Sequence, residues 1–152
     1  MATVYLGLGT NLGDKEANLR TAIYKLQERI GKQVSLSSFY ETAPWGFESD
    51  HSFLNAAIGL ETSLSPIEIL HITQEIEKEL GRTKKSVNGS YSDRLIDIDI
   101  LLYDNLVLQT PELTIPHPLM TERDFVMKPL IEIAGNVIHP TLQKTLSELY
   151  QG

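Results

Sequence analysis

Two carboxylates one residue apart, Asp97 and Asp99, stand in the run Arg94-Leu95-Ile96-Asp97-Ile98-Asp99-Ile100-Leu101-Leu102. Ile96, Ile98, Ile100 and Leu102 alternate with them. The period of a β-strand puts both aspartates on one face, roughly 7 Å apart along the backbone. Aspartate is depleted in strands, and two on one face repel each other. Hard oxygen ligands at this spacing can converge on Mg²⁺, above all where phosphates complete the shell. The polar, solvent-facing side of a half-buried strand would look the same. Arg82, Lys84, Lys85 and Arg94 fall within thirteen residues, and this cationic run tips the pair toward a metal–phosphate site.

Other segments carry weaker signals. Phe53 and Asn55 share one face of an expected strand, close to Trp45 and Phe47. An aromatic plane beside a side-chain amide suits a flat heterocycle bearing donors and acceptors. On these residues alone, core packing for Phe53 and turn capping for Asn55 account for them better. Ile115-Pro116-His117-Pro118 fixes a histidine between two prolines, held to bind phosphate, to carry a proton, or simply to pack. Gln74 and Glu77 are three apart on an expected helix and share a flank. His51, His71 and His139 have no such setting. Gly7-Leu8-Gly9-Thr10-Asn11-Leu12-Gly13 follows a strand and precedes a helix, yet Leu12 stands where a dinucleotide fingerprint needs its third glycine. It reads as a tight strand-to-helix turn.

These residues need a scaffold. Thr3 to Leu8 reads as a buried strand, and Asp14 caps a helix with Leu19, Ile23, Leu26 and Ile30 at helical spacing, stopped by Gly31. Val34 to Glu41 reads as a second strand, residues 42 to 52 as a loop, and Phe53 to Thr62 as a third strand. Ser65-Pro66-Ile67-Glu68 is a capping box with proline at the first helical position. Its helix carries Ile69, Ile72 or Thr73, Ile76 and Leu80 inward and ends at Gly81. A polar loop, Arg82 to Asp93, leads to a fourth strand, Leu95 to Tyr103, and a turn at Asp104-Asn105. Short helices are expected near Glu122 to Ala134 and Thr145 to Tyr150. The order predicts an α+β, ferredoxin-like βαββαβ sheet, antiparallel-rich, with two helices on one face and an irregular, partly helical C-terminal extension. The first and fourth strands are then antiparallel neighbours at the sheet centre, bringing Gly9 to Asn11 near Asp97.

The 152 residues, 41 % of them hydrophobic, suit one domain over 1–152 with a real core. No cysteine is present, which excludes disulfides, thiolate metal sites and a cysteine nucleophile. A net charge of −7 disfavours a broad nucleic-acid face. No apolar run approaches the ~18 residues of a membrane span, and the start shows no signal peptide. A cytoplasmic, monomeric protein without membrane or nucleic-acid partners is expected.

Taken together, the segments resemble the 6-hydroxymethyl-7,8-dihydropterin pyrophosphokinase family. The resemblance runs from about Val4 to Ala134. Its marks are Tyr5 to Gly13, Ser38-Phe39-Tyr40-Glu41-Thr42-Ala43-Pro44, Phe53-Leu54-Asn55-Ala56-Ala57, Gly81-Arg82, Arg94 to Ile100, and Ile115-Pro116-His117-Pro118 followed by Arg123 and Phe125. The resemblance implies transfer of pyrophosphate from ATP to the pterin hydroxymethyl group, releasing AMP. It implies two Mg²⁺ ions at Asp97 and Asp99. It implies a pterin held between Phe53 and Phe125, with Asn55 on its edge and Thr42, Ala43 and Trp45 nearby. Gln74, Glu77, Lys84, Lys85, Ile100, His117 and Arg123 then correspond to the ATP site, and Arg82 and Arg94 to two arginines that engage the phosphates. The chain departs from the familiar pattern at Tyr91-Ser92-Asp93-Arg94, where Trp-Gly-Pro-Arg is common, and at Lys84, where arginine is common.

Two other readings compete. Another Mg²⁺-dependent phosphotransferase with a flat acceptor would share Asp97 and Asp99 without needing a pterin. A non-catalytic ferredoxin-like module that binds a small ligand would explain the fold, but not paired aspartates beside a cationic loop.

Overall fold

The computed structural model describes residues 1–42, 52–80 and 96–150. Alternating burial marks β1, Ala2–Thr10, whose Val4, Leu6 and Leu8 enter the core. Asp14 accepts from Ala17 N at 3.1 Å and so caps α1, Lys15–Arg29. Such a cap satisfies an amide that the first helical turn leaves open. The expected stripe Leu19, Ile23, Leu26 and Ile30 is buried. Two short strands follow, β2 over Lys32–Leu36 and β3 over Tyr40–Thr42, then the long β4, Phe53–Thr62. Gly31 is required by proximity, since an ideal Cβ there would lie 1.9 Å from the Glu61 carbonyl oxygen. Ser65 and Glu68 form the expected reciprocal cap on α2, Pro66–Glu79. Its stripe is Ile69, Thr73 and Ile76.

Next among the described residues comes β5, Asp97–Tyr103, with Asp104 (φ 48°) in the turn beyond it, its Oδ1 accepting from Thr3 N at 2.8 Å. A small ladder of β6, Leu108–Gln109, and β7, Thr114–Ile115, precedes a 3-10 turn at Met120–Glu122. The chain continues as α3, Asp124–Ala134, and α4, Leu146–Leu149. Among the described residues no helix is long and apolar enough to cross a membrane.

The main sheet runs β2-β4-β1-β5 with antiparallel neighbours, and β3 also pairs with β4. α1 and α2 cover one face, where Val4, Leu6, Ile58, Leu60, Ile69 and Ile98 form the larger apolar cluster. This is the ferredoxin-like arrangement.

Four details depart from the sequence reading. The single second strand, Val34 to Glu41, is two strands: Ser37 breaks it by accepting Ala57 N on its own hydroxyl at 2.9 Å. β5 neighbours β1 as expected but forms an edge, because β1 and β4 take the centre. The C-terminal extension is a third layer, with Val126, Met127, Leu130 and Ala134 of α3 packed on the opposite face against Ala57, Leu101 and Leu102. Leu102 reaches that face through a bulge: the β1–β5 register shifts between Tyr5 and Leu6, and the extra residue turns both Leu101 and Leu102 toward α3.

Candidate active site

The ladder brings the chemistry together. Gly9 pairs with Asn55 on one side and Asp97 on the other, and Gly7 pairs with Ala57 and Asp99. Phe53 pairs with Thr42, and Asn55 with Tyr40. Directly paired residues, and residues two apart, share a face. Thr42, Phe53, Asn55, Gly9, Gly7, Asp97 and Asp99 therefore lie on the α3 face. The helix starts at Asp124, so its first turn forms a wall of the cleft, with Phe125 and Val126 in the lining. The resulting cleft holds about 510 Å³, open water at its mouth included. It is lined by Thr42, Phe53, Asn55, Asp97, Asp99 and Phe125, with Gly7, Gly9 and Val126 among the rest.

The two glycines make the floor. Both lie inside β1, and without side chains they leave room over the sheet. A Cβ on Gly9 would lie 3.1 Å from Asn55 Oδ1 and 3.6 Å from Phe53 Cδ1. The turn beyond is tied to α1: Asn18 Nδ2 donates to Leu12 O at 2.9 Å and Thr10 Oγ1 at 3.3 Å, and Gly13 adopts φ 67°. The expectation of a tight turn holds for Gly13, whereas Gly7 and Gly9 belong to the cleft. Their period-two spacing within a strand was the available signal.

Asn55 is buried and donates to Thr42 Oγ1 at 2.7 Å and to Tyr40 O at 3.4 Å. A carbonyl only accepts, so the amide nitrogen faces β3 and the oxygen faces Gly9 and the cleft. Asp97 and Asp99 are partly exposed at its other end. Between them, Ile98 N donates to the buried Glu77 Oε2 at 2.9 Å, so α2 holds the backbone that carries both aspartates.

The remaining candidates spread around this centre. Ile100 is buried on the α2 side of β5, the side from which Glu77 approaches, while Gln74 is exposed on α2. His117 lines a second groove with Gln109, Thr114 and His139. Its imidazole is pushed down by burial, against the opposing pull of the Asp97 charge, and its Nδ1 accepts from Leu119 N at 3.3 Å. Arg123 is buried, its guanidinium carbon 5.6 Å from the centre of the Phe125 ring, and burial lowers its pKa. Ala43, Trp45, Arg82, Lys84, Lys85 and Arg94 lie outside the described residues. Among the described residues no three His, Asp or Glu side chains gather as a metal site.

Comparison with known proteins fits this layout. The pattern of the 7,8-dihydro-6-hydroxymethylpterin-pyrophosphokinase (HPPK) family matches residues 5–135. A Porphyromonas gingivalis protein named 2-amino-4-hydroxy-6-hydroxymethyldihydropteridine pyrophosphokinase is 58 % identical over 141 residues, covering 92 % of this chain and 95 % of its own. An Aquifex aeolicus protein of the same name is 46 % identical over 148 residues, covering 97 % and 90 %. The crystal structure of wild-type Plasmodium falciparum HPPK-DHPS shares the fold, with a TM-score of 0.77 at 17 % identity over 98 % of this chain. This chain spans 44 % of that longer one. The matched stretch begins in β1 and ends just past α3, so it takes in every described element that builds the cleft, and by that match the chain belongs to the HPPK family.

Proposed function

We propose that the chain transfers pyrophosphate from ATP to the hydroxymethyl group of 6-hydroxymethyl-7,8-dihydropterin, releasing AMP, in folate biosynthesis. The pterin hydroxyl oxygen bonds to the β-phosphorus, and the bond from that phosphorus to the bridging α–β oxygen breaks. One observation carries the reading: a pocket with two aromatic rings and a fixed amide is continuous with two carboxylates. The names of the P. gingivalis and A. aeolicus relatives support the same acceptor.

In this reading Phe53 and Phe125 take the two faces of the pterin. Asn55 Oδ1 accepts from its edge, and Thr42 keeps the amide turned. Ala43 and Trp45 add contacts from the adjoining segment. Gln74, Glu77, Lys84, Lys85, Ile100, His117 and Arg123 bind ATP, while Arg82 and Arg94 engage its phosphates and exclude water. Asp97 and Asp99 fit Mg²⁺: both are hard oxygen donors on one face, and phosphate oxygens and water can complete the shell. Two bound ions would neutralise phosphate charge and lower the pKa of the acceptor hydroxyl. Such a transfer needs positioning and charge neutralisation rather than a covalent nucleophile. The two apolar clusters share one sheet, which supports one domain over 1–152, and a monomer is the state proposed for it.

Calorimetric titration with ATP tests the reading. Binding to the wild type is expected to require Mg²⁺ and to weaken sharply in Asp97→Ala protein of native circular dichroism. Indifference to both would favour a binding module without a metal site.

A further inference from the structure

Glu132 stands on α3, two turns beyond Phe125, outside the lining of the cleft. Its carboxylate gathers donors from the segment that leads into β3. Ser38 N donates at 3.0 Å, Ser38 Oγ at 3.1 Å and Tyr40 Oη at 2.5 Å. Lys128, one turn earlier, lies 6.0 Å from the centre of the Tyr40 ring. Along its described residues, Tyr40–Thr42, β3 pairs with β4. Side chains tie this strand further, Glu41 accepting from Lys15 of α1 and from Ser52, and Tyr40 donating to Glu132 of α3. Both acceptors that turn the Asn55 amide, Tyr40 O and Thr42 Oγ1, belong to it.

We infer that Glu132 is a positioning residue for the acceptor: by holding Tyr40 and Ser38 it fixes β3, and through β3 it keeps Asn55 Oδ1 aimed into the cleft at a set distance from Phe125. The chain of contacts runs Glu132, Tyr40, Thr42, Asn55. It joins the two walls that a flat acceptor would touch, α3 and β4. It runs through the acceptor half of the cleft, and there its effect is expected. The Tyr40 hydroxyl holds the Glu132 carboxyl below the usual range.

The inference rests on reading the cleft as the pterin site. The test is steady-state kinetics of Glu132→Ala, Glu132→Gln and Tyr40→Phe, varying each substrate while the other is saturating. KM for the pterin should rise about tenfold in Glu132→Ala, the scale of one lost charge-assisted hydrogen bond. It should rise less in Glu132→Gln, which keeps an acceptor oxygen, and in Tyr40→Phe, which keeps the ring. KM for ATP should stay as in the wild type for all three. Unchanged pterin KM, or a fall in kcat and Tm with both KM values unchanged, would overturn the inference and leave Glu132 a structural residue. If Glu132→Ala does not fold, the two milder variants decide the question on the same criterion. Wild-type protein that neither turns over nor binds the pterin would instead sink the reading of the cleft, and this inference with it. Wild-type protein that makes AMP while the variants keep its pterin KM overturns the inference alone.

Discussion

Asn55 and Asp97 flank the same residue: both pair with Gly9, Asn55 from β4 and Asp97 from β5. An amide that suits a ring edge and a carboxylate that suits a metal are thus two adjacent strand positions apart, across a bare stretch of backbone. Neighbouring strands lie about 4.8 Å apart, so about 10 Å separates the two backbones. That span matches a bicyclic heterocycle with a short substituent reaching toward the aspartates. The spacing is set by the sheet rather than by loops, which makes it rigid.

Gly9 should therefore be intolerant of a side chain for binding, though not for folding. In Gly9→Ala the new methyl meets Asn55 Oδ1 at 3.1 Å, so the amide must shift. Pterin affinity by calorimetry should fall about tenfold, with Tm changed by only a few degrees, because alanine accepts the strand conformation. Gly9→Val should abolish pterin binding. Pterin affinity in Gly9→Val equal to the wild type would mean the ligand sits elsewhere.

Glu77 is buried, and its carboxylate receives Ile98 N at 2.9 Å. Glu77→Ala removes that acceptor from an amide flanked by both aspartates. A buried donor left without its partner costs about 1–3 kcal/mol. Urea unfolding should show that loss without a change in slope, and Mg²⁺-dependent ATP binding should weaken with it. Glu77→Gln retains an oxygen and should lose less of both. Equal stability of Glu77→Ala and wild type would show that the bond contributes little.

His139 is buried, and its Nδ1 accepts from Leu142 N at 3.1 Å and Thr141 N at 3.3 Å. Those bonds require the neutral ring, and burial pushes the imidazole below 6.5. A folded-state pKa lower than the unfolded value gives stability that is present above 6.5 and is lost as pH falls. Tm should therefore drop on going from neutrality to about pH 5, where an ordinary histidine is charged. Asn at this position keeps a side-chain acceptor without titrating, so His139→Asn should flatten that drop. An equal drop in the variant would assign the acid sensitivity to another group, with His117 the next to examine.

Local signals in the sequence were legible where local physics decides the structure. Asp14, Ser65 and Glu68 cap their helices because a cap is made within four residues. Phe53 to Thr62 is a strand from end to end as read. The shared face of Asp97 and Asp99, and of Phe53 and Asn55, followed from period two alone. The bulge that turns Leu102 toward α3 depends on its partner strand, and nothing in the run of isoleucines announces it. The break at Ser37 depends on Ala57, twenty residues on. Phe125 and Arg123 were named only by family resemblance, since no spacing rule carries a helix onto the far face of a sheet. Glu132 gave no signal at all, because its three donors lie more than ninety residues earlier.

In the proposed reaction the aspartate end and the aromatic end of one cleft act together. The most direct test is product analysis of purified protein with ATP and Mg²⁺, with and without 6-hydroxymethyl-7,8-dihydropterin. AMP is expected only when the pterin is present, one for each pterin pyrophosphate formed. ADP with a singly phosphorylated pterin, or no nucleotide product from folded protein, would contradict it.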